Sequence, residues 1–111
     1  MTAPLTSNMA KLGDFSFESI KTLGNAVPML VGNSGQALME LWLEPLARDY
    51  WLLPGQTVTV TSYGTWNDHP FKLHHEPNRL TVWATSWFAT VTDGNGAEVP
   101  CGYNRPSESG D

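Results

Sequence analysis

The chain has a single cysteine, Cys101, in 111 residues. One thiol cannot close an internal disulfide, so the cysteine usage gives no reason to invoke an oxidising compartment. Charge is also sparse: 15% of residues are Asp, Glu, Lys or Arg, a small share for a globular domain. Basic residues are the scarcer kind, six against eleven acidic ones, and the formal net charge is −5. That balance disfavours a nucleic-acid backbone or an anionic membrane as partner. The acids are dispersed along the chain, as a solubility feature would be. No apolar run approaches membrane-spanning length. The start, MTAPLTSNMAKLGDFSF, lacks the apolar centre of a secretory leader. The expectation is a cytoplasmic protein, or one released by a route the sequence does not display. Phosphate-loop, dinucleotide and Gly-x-Ser-x-Gly fingerprints are missing as well. No motif fixes a chemistry, the balance leans against an enzyme, and no cofactor is expected.

The sequence does contain alternation. Apolar residues make up 41% of the chain, enough for one core in a domain of this length. Val27 to Gly32 and Gln36 to Glu44 are two strand-like runs around Asn33-Ser34-Gly35, which has turn chemistry, and a hairpin is expected there. In the second run Ala37, Met39, Leu41 and Leu43 share one face, and Leu38, Glu40, Trp42 and Glu44 the other. The two glutamates mark the wet side. Pro45 ends the run, and LARDYWLL reads as a link with Tyr50, Leu52 and also Trp51 turned inward, ending at Pro54-Gly55. Gln56 to Tyr63 is the cleanest strand, with Val58 and Val60 in and Thr57, Thr59, Thr61 and Tyr63 out.

Gly64 to Asn78 lacks a sustained period and reads as a long loop, with room for a short paired piece at Phe71 to His75. Arg79 to Thr85 alternates again, Leu80, Val82 and Ala84 in and Thr81 and Trp83 out. Parity then flips, because Trp87, Ala89 and Val91 look like the next inward set; a bulge or corner near Thr85-Ser86 would explain it. Asp93-Gly94-Asn95-Gly96 is a strong turn before a last strand, Ala97 to Cys101. The result is an all-β fold: a small antiparallel β-sandwich of about seven strands, immunoglobulin-like, with a short N-terminal helical or irregular cover at Asp14 to Gly24. Residues 1–25 form the arm and cover, with Met1 to Gly13 disordered, 26–105 the domain and 106–111 a polar tail.

Asn33-Ser34-Gly35, Glu44-Pro45, Tyr50, Pro54-Gly55 and Val82-Trp83 together resemble a pattern of small uncharacterised bacterial β-sandwich proteins. The likeness covers roughly 27–101. It implies the fold and no activity. The first 25 residues and the histidine loop lie outside it.

Three groups of residues are candidates for chemistry. His69, His74, His75 and Glu76 are of metal-ligand type and would serve a small metal-dependent enzyme. Against this, adjacent His74 and His75 point apart in an extended chain, and polar loop histidines are common. Cys101 could pair with a histidine as a nucleophile, or be a half-buried structural thiol. Glu40 and Glu44 could be paired carboxylates, but glycoside chemistry needs them across a cleft, and a solvated face accounts for them.

The aromatics are the stronger signal, with five tryptophans in the chain. If the strands carrying them share a sheet, Trp42, Tyr63 and Trp83 lie on its outer face with Glu40 and Glu44. Such a face binds a protein partner, pairs with a second copy in a homo-oligomer, or stacks on carbohydrate. Alternatively the Phe15 to Leu23 segment covers it from within. The reading is a non-enzymatic binding or structural module.

Overall fold

A computed structural model describes residues 15–107; the expected disordered arm and most of the polar tail lie outside the described residues. Within them are one short helix and seven strands in two sheets, so the protein is mostly β. Helix α1 is Phe17–Lys21, and the strands are β1 Val27–Gly32, β2 Met39–Glu44, β3 Arg48–Leu52, β4 Thr57–Tyr63, β5 Phe71–Glu76, β6 Arg79–Ala84 and β7 Phe88–Thr92. The three-stranded sheet runs β1-β4-β7 and the four-stranded sheet β3-β2-β6-β5.

Each strand's alternation aims one face at a shared core. Leu41, Leu43, Tyr50, Leu52, Val82 and Ala84 come from the four-stranded sheet. Val31, Val58, Val60, Ala89 and Val91 come from the other, and all belong to one cluster. Full burial of an aliphatic side chain of this size contributes about 1.5–3 kcal/mol, so the parity of these residues determines the fold. The phenol of Tyr50 is buried with them, and burial pushes its pKa up to about 12. A neutral phenol is favoured inside, so this contribution is complete below the unfolded value near pH 10 and is lost as pH rises toward 12. Alkaline unfolding should therefore begin above about pH 10, and Tyr50→Phe should remove that part of the pH dependence in denaturant titrations.

Several expectations about pairing are corrected. β1 and β2 do not form a hairpin: β1 pairs with β4, and β2 with β3 and β6. Residues 33–38 instead carry the chain from one sheet to the other. Asn33 makes that crossing possible. It is buried, its Nδ2 donates to Ala37 O and Leu52 O at 2.8 Å each, and its Oδ1 accepts from Gly35 N at 2.9 Å. The arrangement is not wholly antiparallel either, because β2 and β6 run parallel.

The link LARDYWLL holds a strand, β3, which returns beside β2 after a turn in which Ala47 takes φ 57°. The short paired piece allowed at Phe71 to His75 is a strand, Phe71–Glu76, and the residues before it are loop. The last strand shrinks to a single bridge, Thr92 with Glu98, flanked by two bonds, from Val99 N to Val91 O and from Asp93 N to Ala97 O, at 2.9 Å each. The corner after β6 is present, and it places Trp87 outside: at φ 79° the residue is 63% exposed and not part of the inward set.

Candidate functional site

The register places the outer residues of the four-stranded sheet in rows. Glu40 lies between Trp51 of β3 and Arg79 of β6, with Glu76 of β5 beyond. Trp42 lies between Asp49 and Thr81, with His74 beyond. Glu44 neighbours Trp83, which opposes Lys72. Directly opposed residues of paired strands share a face, so Trp42, Trp51 and Trp83 stand on one side of one sheet.

Two of these rings are tied down by the same local device. Trp42 Nε1 donates to Glu44 Oε2 at 2.6 Å, and Trp51 Nε1 donates to Asp49 Oδ2 at 2.9 Å. In each case the carboxylate is two residues away on the same strand, where the period of two returns a side chain to the same face. Arg79 lies over the Trp42 ring, 5.3 Å from its centroid, a cation–π distance. Its Nε is 3.2 Å from Glu40 Oε1 but makes no hydrogen bond, so charge rather than direction holds that pair. Trp83 has no such tether described and is 38% exposed.

At the β3 edge Asp49 gathers a second cluster. Arg105 Nε donates to Oδ2 at 2.7 Å and Arg105 Nη2 to Oδ1 at 2.5 Å. Cys101 Sγ lies 3.4 Å from Oδ1. The Arg105 guanidinium holds the Asp49 carboxyl well below the usual carboxylate range against the opposing effect of burial. The clamp seats the C-terminal segment along β3, where Trp51 N donates to Tyr103 O at 2.8 Å and Gly102 N to Asp49 O at 2.6 Å. A cleft of about 400 Å³ opens beside Asp49, Trp51 and Arg105. Cys101 itself is exposed, not half-buried.

The expected site residues thus separate. Trp42, Trp83, Glu40 and Glu44 do share a face. Tyr63 does not: β4 belongs to the other sheet, where Tyr63 opposes Phe88. The described part of the N-terminal cover also lies elsewhere. α1 packs on β7, and the Phe15 ring stacks on Phe88 at 5.9 Å, so Phe15 and Phe17 leave the tryptophan face open. On β5, His74 and Glu76 share the outer face, while His75 opposes the inward Leu80 and His69 precedes the strand. Among the described residues no group of three or more His, Cys, Asp or Glu could hold a metal ion. Nor is any described helix long and apolar enough to cross a membrane.

Trp51, Asp49 and Arg79 complete the face and were missed in the sequence; Trp51, expected to turn inward, opposes Glu40 and so lies on the outer side. The repeated spacing of a tryptophan and an acid two residues apart, Trp42–Glu44 and Asp49–Trp51, is the signal that could have found two of them. The fold and the face define a mostly β protein that presents an aromatic and acidic sheet surface. No protein-family model matches the chain, and no curated protein and no solved structure matches it. The resemblance to small bacterial proteins therefore rests on its own residues alone.

Proposed function

We propose that the protein is a non-enzymatic interaction module whose outer sheet face, built on Trp42 and Trp83 with Glu40 and Glu44, docks a protein partner. Its architecture on this reading is a two-layer sandwich, supported by the single core shared between the sheets. The immunoglobulin-like expectation is retained only in the sense of two facing sheets. A cytoplasmic location belongs to the same reading.

One observation carries the proposal. The rings of Trp42 and Trp51 are fixed by carboxylates of their own strands, so a partner meets a surface already ordered, with Trp83 exposed beside it. Ordered aromatic and arginine side chains supply much of the energy of protein contacts and lose little entropy on binding. Charge suggests the partner's chemistry. Glu40, Glu44 and Glu76 face Arg79 and Lys72 on these strands, an acidic excess that suits an apolar group flanked by a basic one.

The carbohydrate reading has less support, because Arg79 occupies the ring of Trp42 that a sugar would need. The metal-dependent enzyme reading lacks a ligand set among the described residues. The test compares tagged wild-type protein with Trp83→Ala and Arg79→Glu in affinity recovery from the native cell. Trp83→Ala should weaken retention of the partner about thirtyfold while leaving the fold intact. Equal recovery by all three proteins would contradict the proposal.

A further inference from the structure

We infer that the protein self-associates through the open edge of β5, which pairs antiparallel with β5 of a second copy about a two-fold axis at His74.

The four sheet edges are treated differently. β3 is bonded by the segment around Gly102 and Tyr103. β7 is bonded by Val99 at one end and packed by α1. β1 carries Pro28. The bond from Asn33 N to Gln56 O fixes the phase of β1, so that odd-numbered residues bond β4 and Pro28 turns its donorless nitrogen outward. Proline in that position is a standard block to edge pairing. Among the described residues β5 has neither protection: positions 72–76 are all exposed.

The phase of β5 is fixed in the same way. Thr85 N donates to Pro70 O at 3.0 Å, so Lys72, His74 and Glu76 bond β6 while Phe71, Leu73 and His75 turn their backbone groups to the open edge. A second β5 must then bond Leu73 and His75. About an axis at His74 these two oppose each other and exchange bonds twice. The outer faces coincide in that register, and it also places Lys72 opposite Glu76 of the copy, twice.

These are the non-bonded pairs of the ladder, where side chains approach most closely and opposite charge contributes most directly. On the inner side the 53% exposed Leu73 is covered by His75 of the copy. Shifting the axis to Leu73 would set Lys72 against His74, and shifting it to His75 would set Leu73 against Pro77; both lose the charge pairs. Edge charges that discourage random pairing thus become the specificity of one register.

The two outer faces would join into one surface, but the inference does not depend on that surface binding anything. Sedimentation of the full chain over a concentration series should show a dimer. Lys72→Glu and Glu76→Lys should each weaken association at least about tenfold. An equimolar mixture of the two variants should restore it, since both pairs between positions 72 and 76 across the axis are then opposite in sign. His75→Pro, which removes a donor at the open edge and none from the β6 ladder, should give a monomer of unchanged secondary structure.

A wild-type monomer at every concentration would overturn the inference. So would a dimer indifferent to both charge variants, or one lost in Trp83→Ala alone, which would place association on the aromatic face. A dimer unaffected by Trp83→Ala leaves the edge pairing standing whatever becomes of the proposed partner face.

Discussion

Asn33→Ala is expected to lower the free energy of unfolding by about 3 kcal/mol, a large fraction of the stability of a domain this size. The side chain is 5% exposed and serves two carbonyls and one amide at the crossing between sheets. Alanine leaves Leu52 O and Ala37 O without that donor and gives water no easy access. The backbone of Asn33 is engaged too, its N–H with Gln56 O and its carbonyl with Gly55 N, so the crossing cannot shift to compensate. Asn33→Asp keeps the acceptor for Gly35 and loses both donors, and should cost as much or more. Denaturant unfolding measures both; a loss under about 1 kcal/mol would show that the crossing is held by other contacts.

Asp49→Ala should cost about 3 kcal/mol as well, through a different mechanism. It releases Arg105 and the Trp51 indole and leaves the C-terminal segment on the β3 edge by its backbone bonds and Gln56 alone. Amide exchange at Trp51 and Gly102 should accelerate far more than exchange in β4. The same carboxylate predicts an acid limb. Its folded pKa is depressed by Arg105, so its contribution is present above the unfolded value near pH 4 and is lost as pH falls below that. Asp49→Asn should be less stable at neutral pH and should flatten that limb. An unchanged acid limb would mean that other carboxylates set it.

What the sequence made legible was parity. Leu41, Leu43, Val58, Val60, Val82, Ala84, Ala89 and Val91 all point inward as their alternation requires, because a period of two is a local property of each strand. Partner choice is not local. Asn33-Ser34-Gly35 has the composition of a hairpin turn, yet the asparagine side chain bonds to Leu52, and the chain crosses to the other sheet. Tyr63 has the right parity but the wrong sheet, so its place beside Trp42 was lost when β4 joined β1 and β7. β3 was obscured by Pro45 and by its charged residues, although Arg48, Tyr50 and Leu52 alternate with Asp49 and Trp51. Trp87 failed for a backbone reason, since φ 79° removes it from any strand parity. The face itself was half visible: Trp42 between two glutamates could be read directly, whereas Arg79 and Asp49 reach it only through pairing.

The most direct test of the interaction face is site-specific photocrosslinking in the native cell. One protein carries the crosslinker at Thr81, beside Trp42 on the outer face, and a second carries it at Leu30, which is 75% exposed on the other sheet. A discrete adduct from position 81, lost when Arg79→Glu is added, with none from position 30, is the predicted result. Adducts from position 30 alone, or equally from both, would contradict the account.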